Sequence, residues 1–488
     1  MSVELIGLIT IALAGAGLIH SRRMSIIVLC IMGLLQAAAA LFLGGANITP
    51  GHLSLGFFVL AVLIRRDGLS YAFASMHPPR AGFFLLLLSL WGVFSGYAMP
   101  RMFAGEFMIF PLSSDTKFIN EVPLFPVSSN FNQSIYFLGG LLTFAFTSSM
   151  ARTNRLLQAA GTAVVIAAAA NIAIAIIDTV TFAVGVPDAL SFLRNAEYAQ
   201  LFSHQFLGIK RVTASFPEAS AFAGVAVGLF AYCLRLWRGG VMTKYTGPIA
   251  LGTLVAILFA LSSTGYVALM AYLACVYMRA VTGMEGRIGR SRKIATSRAL
   301  FVSSGPFVAL CVAAAVAVRP DLLDPVVQIF DNSVTSKLGS ASGVERMSWN
   351  MAGINAFFET WGLGAGLGSV RTSSFLVAVM SNLGIPGLVL FGLFFVRIFR
   401  GPEIRHARFA DNISIQHAAA ARSGCFAMII GASLSSSAVD LGILFYVQAG
   451  IACASLFTRR VPAEDLIREM PAEAFEPPAE PTAAYVRP

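Results

Sequence analysis

Long apolar runs separated by polar breaks dominate this chain. They lie near 3–19, 24–43, 52–64, 81–99, 134–150, 156–185, 219–236, 247–261, 264–278, 299–318, 373–396, 423–437 and 440–456. Many approach the roughly 20 residues that a helix needs to cross a bilayer. The pattern predicts an all-α polytopic integral membrane protein with about 12–13 transmembrane helices, occupying residues 1–458. Three breaks are long, at about 100–133, 186–218 and 319–372. Within the third, Val344, Met347, Met351, Ile354 and Phe358 recur at spacings of three and four, which makes one apolar stripe of a helix. Ser342-x-x-Glu345 ahead of it has the form of a capping box. An amphipathic helix over about 343–360 is therefore expected along a membrane surface, ending in the glycine run 362–368. The tail 459–488 is rich in Pro, Ala and Glu, has little to bury and reads as disordered.

Composition agrees with the pattern. The 488 residues are 57% hydrophobic and 12% charged, whereas soluble domains carry about a quarter charged residues. The net charge of +10 raises nucleic acid as a partner, but the cations sit in short loops between apolar spans with no basic, aromatic-interleaved face. Sorting of positive charge to the inside accounts for them. With Arg22 and Arg23 placed inside, only nine of the 34 Lys and Arg fall outside: Arg101, Lys117, Arg194, Lys210, Arg211, Arg319, Lys337, Arg346 and Arg371. The three long breaks then lie outside, where loops held on a rigid scaffold carry binding residues. All six cysteines fall within apolar runs, with neither disulfide nor metal spacing, and read as small hydrophobes. The first apolar run precedes its basic pair, unlike a cleavable signal.

Candidate chemistry gathers where outer cations are retained. Lys210-Arg211-Val-Thr-Ala-Ser215-Phe-Pro217-Glu218 leads straight into the span at 219. Ser215-x-x-Glu218 has the form of a second capping box, with Pro217 in the first turn, so Glu218 reads either as a cap or as a base or clamp on a sugar hydroxyl. Arg211 precedes that helix start, and Glu345-Arg346 lies in the first turn of the amphipathic helix. Helix N-termini favour anions, and a guanidinium fork matches phosphate oxygens, so two such places suit a diphosphate. Gly362-x-Gly364-x-Gly366-x-Gly368-Ser369 follows no strand and lacks a GKS/T ending, which excludes a nucleotide loop; it reads as close backbone approach or a turn. Arg371 and Ser373, after Ser369, are substrate contacts or span-entry residues. Asn130, Asn132 and Gln133 enter the fifth span in the same way. Asp178 and Asp440 are acids within or beside spans, the residues a proton-coupled transporter needs.

Arg211…Ser215-Phe-Pro217-Glu218-Ala-Ser-Ala-Phe, Glu345-Arg346…Trp349, Trp361-Gly-Leu-Gly-Ala-Gly-Leu-Gly-Ser, Ser381-Asn-Leu-Gly-Ile-Pro-Gly387 and the polar turn Ser262-Ser-Thr-Gly265 resemble, in order, motifs of the O-antigen ligase and polymerase superfamily over roughly 130–400. The resemblance implies a glycosyltransferase of the bacterial inner membrane with a large periplasmic loop. It would act on undecaprenyl-diphosphate-linked glycan without metal or cofactor. Membrane lipids, a flippase and chain-length regulator proteins are the further partners it implies. Arg211 and Arg346 match the arginines that hold the diphosphate, with Glu218 beside them and Lys210, Glu345, Ser369, Arg371 and Ser373 as substrate-binding candidates. Ligases of the family, which transfer glycan to lipid A core, carry a histidine after the glycine stretch. Here that place reads Arg371-Thr-Ser373-Ser374, and His204 lies in the other loop. The departure favours a polymerase of exopolysaccharide or O-antigen and leaves the base unassigned, with Glu218 and Glu345 among the candidates. A transporter of glycan or lipid-linked oligosaccharide is the reading from another class.

Overall fold

The computed structural model describes residues 2–43, 46–64, 68–112, 120–196, 201–203, 205–206, 208–282, 341–400 and 411–454. The expected span at 299–318, Cys311, His204 and the tail 459–488 lie outside the described residues. The described chain is mostly helical: α1 (Leu5–His20), α2 (Arg22–Met32), α3 (Pro50–Leu63), α4 (Gly68–Ser75), α5 (Ala81–Met102), α6 (Ser128–Met150), α7 (Asn154–Ala183), α8 (Ala219–Arg238), α9 (Thr243–Phe259), α10 (Ser263–Val281), α11 (Ala341–Glu359), α12 (Phe375–Arg400), α13 (Asn412–Leu434) and α14 (Ile443–Cys453). Five of them, α5, α7, α8, α10 and α12, are long and apolar enough to cross a membrane. The described strands are two or three residues long and form one three-stranded sheet and two pairs, among them Gln205–Phe206 antiparallel to Ile209–Lys210.

The core forms around α8, which packs on α13, α9, α10 and α7. Phe222, Ala223, Ala226, Val227, Leu229, Ala231, Tyr232 and Cys233 are buried on it. Small residues let α8 and α13 approach closely: a Cβ on Gly431 would lie 3.0 Å from Gly224 Cα, and one on Gly228 would meet Met428 and the Gly424 carbonyl. Close packing of this kind is what holds apolar helices together where hydrocarbon surroundings remove the hydrophobic drive.

One expected span is interrupted. The run 24–43 is helical only to Met32. Beyond it, Leu34 and Ala37–Ala40 are fully buried without being helical. A buried backbone must be paired, and here another segment pairs it. Ala37 N–H donates to the Ser215 carbonyl (2.9 Å) and Ala196 N–H to the Ala37 carbonyl (3.2 Å). The Asn195 amide takes both ends of Ala39, at 2.9 and 3.0 Å. The run of alanines that looks like helix in the sequence is what lets that second segment lie so close.

α12 is broken at Gly384 (φ 64°, ψ −157°), just before Pro386. The glycine run docks into the break: Ala365 N–H reaches the Ser381 carbonyl (2.7 Å), Gly366 N–H the Asn382 carbonyl (3.0 Å), and Ile385 N–H the Gly362 carbonyl (2.8 Å). A Cβ on Gly364 would sit 2.6 Å from Gly384 N, so close backbone approach is the reason for glycine there. The Asn382 side chain accepts from Ser369 and Val370 N–H, both at 3.0 Å, and Trp91 Nε1 donates to the Leu383 carbonyl (2.8 Å).

These contacts gather particular helix ends. Val212 N–H bonds to the Phe259 carbonyl, Ser129 Oγ to the Gly368 carbonyl, Ser215 Oγ to the Leu34 carbonyl, and Ser435 Oγ to Ser220 Oγ. The N-terminal ends of α6, α8 and α12 and the C-terminal ends of α2, α9 and α13 therefore share one end of the bundle. α11 lies there too, as the amphipathic helix expected, with Val344, Met347, Met351 and Phe358 exposed on one stripe. Its helix already includes Ala341, so Ser342 stands in the first turn and is not the N-cap of a capping box. Of the five described cysteines, Cys30, Cys233 and Cys425 are buried, whereas Cys275 on α10 is exposed.

Candidate functional site

Arg211, Glu218 and Arg346 come together at that end. Arg346 Nη2 stands 3.7 Å from Glu218 Oε2, with the two side chains 24% and 35% exposed. A loose, partly open pair of this kind can exchange its anion. Arg346 Nη1 also reaches Ser435 Oγ at 3.5 Å, Ser435 bonds to Ser220 at 3.4 Å, and Ser220 donates to Glu218 Oε1. Burial pushes the Arg211 guanidinium below its ordinary value; Glu218 raises it again and Arg346 lowers it, so Arg211 lies within electrostatic range of both. Burial likewise lowers Arg371, while Glu345 and Glu218 raise it. Glu218 is thus paired with Arg346, and Arg211 and Arg371 both lie within its electrostatic range, with Glu345 also acting on Arg371.

Arg211 and Arg371 are oriented by backbone carbonyls, whereas Arg346 is held by the Ser435 and Glu218 side chains. Arg211 Nε donates to the Ala260 carbonyl (3.3 Å), in the turn between α9 and α10, and Tyr266 on α10 is within electrostatic range. The polar motif expected as a turn instead opens α10: Ser262 is its N-cap residue and Ser263–Gly265 its first helical residues. Arg371 donates through Nη2 to the Leu112 carbonyl (2.9 Å) and through Nε to the Pro111 carbonyl (3.4 Å), and lies 5.5 Å over the Trp349 ring. Donor forks held this way lose little freedom when they meet an oxyanion.

Glu218 does not cap α8 in the way its sequence pattern suggests. It is the N-cap residue, with extended φ/ψ, yet its side chain makes no cap bond and turns to Ser220 and Arg346. Ser215 is not the cap either: its hydroxyl donates to the Leu34 carbonyl. The carboxylate is thus free of structural duty to the helix.

Several sequence candidates are placed elsewhere. Lys210 does not face the arginines. It is buried, with Nζ 2.6 Å from Asp178 Oδ2. Ser369 is wholly buried and takes part in the glycine dock, accepting from Asn130 Nδ2 (2.9 Å) and donating to the Ala365 carbonyl (3.0 Å), so its hydroxyl is not available to substrate. Asn130 is used in the same dock, donating to the Leu367 carbonyl at 2.8 Å. Ser373 is buried, its N–H donating to Asn350 Oδ1 (2.8 Å). Glu345 is exposed beside Arg371. Ser220, Ser435 and Tyr266 join the site without having been singled out; they come from three separate segments, and only the serine-rich 433–437 stretch hints at a polar end to α13. Among the described residues no three His, Cys, Asp or Glu side chains gather as a metal-binding group.

The arrangement can hold a polyvalent anion at a bundle end, with a carboxylate beside it able to take a proton. No protein-family model matches this chain, and no curated protein matches it.

Proposed function

We propose that the protein is a membrane glycosyltransferase of the polysaccharide-polymerase type. In this reading it crosses the bacterial inner membrane in about 12–13 helices, with the arginine site on the periplasmic face. There it transfers an undecaprenyl-diphosphate-linked glycan to the next lipid-linked repeat unit. The observation that carries the reading is the partly exposed Arg346–Glu218 pair at 3.7 Å, with Arg211 and Arg371, each held by a backbone carbonyl, within electrostatic range of the same carboxylate.

The chemistry uses those groups directly. An acceptor hydroxyl attacks the anomeric carbon, the bond from that carbon to the diphosphate oxygen breaks, and negative charge develops on the leaving lipid diphosphate. Arginines already oriented by carbonyls stabilise that charge without reorganising. Glu218, paired only loosely with Arg346, gives up its guanidinium to the diphosphate and becomes available for the acceptor proton. The exposed stripe of α11 suits a lipid interface, which would keep the reacting bond at the membrane surface. A proton-coupled transporter loses one of its two candidate acids, because Asp178 is committed to two cations; Asp440 is the one left to it.

The test is full-length protein in liposomes with a lipid-diphosphate-linked repeat unit, run out as a ladder. A ladder of multiples supports the polymerase. Transfer only when lipid A core is added would make the protein a ligase. Absence of any new glycosidic bond, with folded protein and the correct repeat unit, would return the transporter to first place.

A further inference from the structure

We infer that Asp178 is a positioning residue: it fixes which of the adjacent cations Lys210 and Arg211 faces the site. The inference rests on the arginine site proposed above and concerns how that site is set.

Asp178, near the C-terminal end of α7, is fully buried. Its Oδ1 accepts from Arg194 Nη2. Its Oδ2 is 2.6 Å from Lys210 Nζ and accepts from Thr213 N–H (3.2 Å), Thr213 Oγ1 (3.3 Å) and Ala214 N–H (3.0 Å). Arg194 Nη2 also donates to the Ala214 carbonyl (2.8 Å). One carboxylate therefore grips the chain on both sides of Arg211, at 210 and again at 213–214. Ala214 is held there with φ at 50°, a conformation an alanine adopts only when its surroundings impose it.

Ile209–Lys210 is extended, paired with Gln205–Phe206. In extended chain, successive side chains point to opposite sides, and a slip of one residue exchanges them. With Lys210 drawn inward to Asp178, Arg211 is directed outward to Ala260, Glu218 and Arg346. A lysine in its place would offer a point charge, not a planar fork, to phosphate oxygens. Without the buried anchor, the sequence Lys210-Arg211 does not say which cation belongs to the site.

The experiment uses the full-length protein in detergent, with two probes. The first is acylation of lysines by an amine-reactive reagent, read by peptide mass spectrometry. Lys210 in the wild type should react far more slowly than exposed Lys244, and in Asp178→Asn it should become reactive. The second probe is inorganic pyrophosphate. Its affinity should fall tenfold or more in Asp178→Asn and less in Asp178→Glu, which keeps the charge. Asp178→Asn leaves two buried cations unpaired and can fail to fold, so the double variant Asp178→Asn/Lys210→Met, which removes one of them, is measured beside it. A merely structural Asp178 would let affinity follow thermal stability; a positioning one leaves a folded variant with weak binding. Wild-type Lys210 reacting as fast as Lys244, or a folded Asp178 variant binding pyrophosphate like the wild type, overturns the inference. If the wild type makes no glycan ladder yet shows this dependence on Asp178, the glycosyltransferase reading fails and the inference stands. If the wild type binds no pyrophosphate, the anion site fails, and Lys210 acylation alone decides.

Discussion

At the scale of single residues, neighbouring side chains of like type have unlike duties. Arg211 and Arg346 sit around Glu218, and removing one preorganised donor from developing charge typically costs about 10²–10³ in rate. Arg211→Ala and Arg346→Ala are each expected to reduce ladder formation by that order while leaving membrane insertion intact; near-wild-type polymer from either removes that residue from the mechanism. Because Glu218 makes no cap bond and only a loose, partly exposed pair with Arg346, Glu218→Ala should lower thermal stability by no more than about 1 kcal/mol, yet impair transfer. A large stability loss would restore the cap reading. Asp440, in the segment between α13 and α14, offers a pH test. Burial pushes its carboxyl up to about 7, against the pull of the Gly442 and Leu441 backbone and the Tyr446 hydroxyl. A carboxyl whose folded-state value is raised favours folding while protonated, so its contribution is full below the ordinary value of 3.8 and is lost as pH rises through about 7. Relative to the wild type, Asp440→Asn should gain in melting temperature as pH rises from about 5 to 8, and identical pH profiles for the two proteins would contradict the assignment.

At the scale of elements, the broken α12 and its glycine dock set the place of Arg371. The run threads against the break at Gly384, and the next residues, Val370 and Arg371, then meet Pro111 and Phe110. Gly364→Val would put a side chain against Gly384 N at a position with φ of 85°. Steric conflict plus left-handed strain should lower stability by about 2–4 kcal/mol, seen as a fall in melting temperature, with Arg371-dependent activity lost in parallel. Full stability in Gly364→Val would mean that the dock is not as close as described. Glycine spacing alone announces close approach but not its partner. The motif Ser381-Asn-Leu-Gly384 is that partner, separated from the run by a dozen residues, and only the fold pairs them.

At the scale of the whole molecule, the ends of α2, α6, α8, α9, α12 and α13 collect the site at one end of the bundle. In the proposed reading that end faces the outside, as the charge asymmetry predicts. Single-cysteine reporters test it: Glu121→Cys should be labelled by a membrane-impermeant thiol reagent added to intact cells, and Thr243→Cys only after permeabilisation. The opposite pattern would invert the topology and move the site to the cytoplasmic face.

The apolar periodicity by itself determined the helical class, most helix positions and the amphipathic α11, because those follow from spacing that any single segment displays. The sequence also marked Arg211, Arg346 and Arg371, since cations retained in otherwise cation-poor loops stand out, and Glu218, through its capping-box pattern. It misread 33–43 as helix, because a run of alanines is equally apolar whether its backbone bonds to itself or to a distant loop. Tertiary structure alone decided that Lys210 turns inward while Arg211 turns outward, that Ser369 is spent in the glycine dock, and that Glu218 leaves its helix uncapped. Each of those outcomes is a competition between partners far apart in the chain, and the winner is set by distance and burial that adjacent residues do not encode.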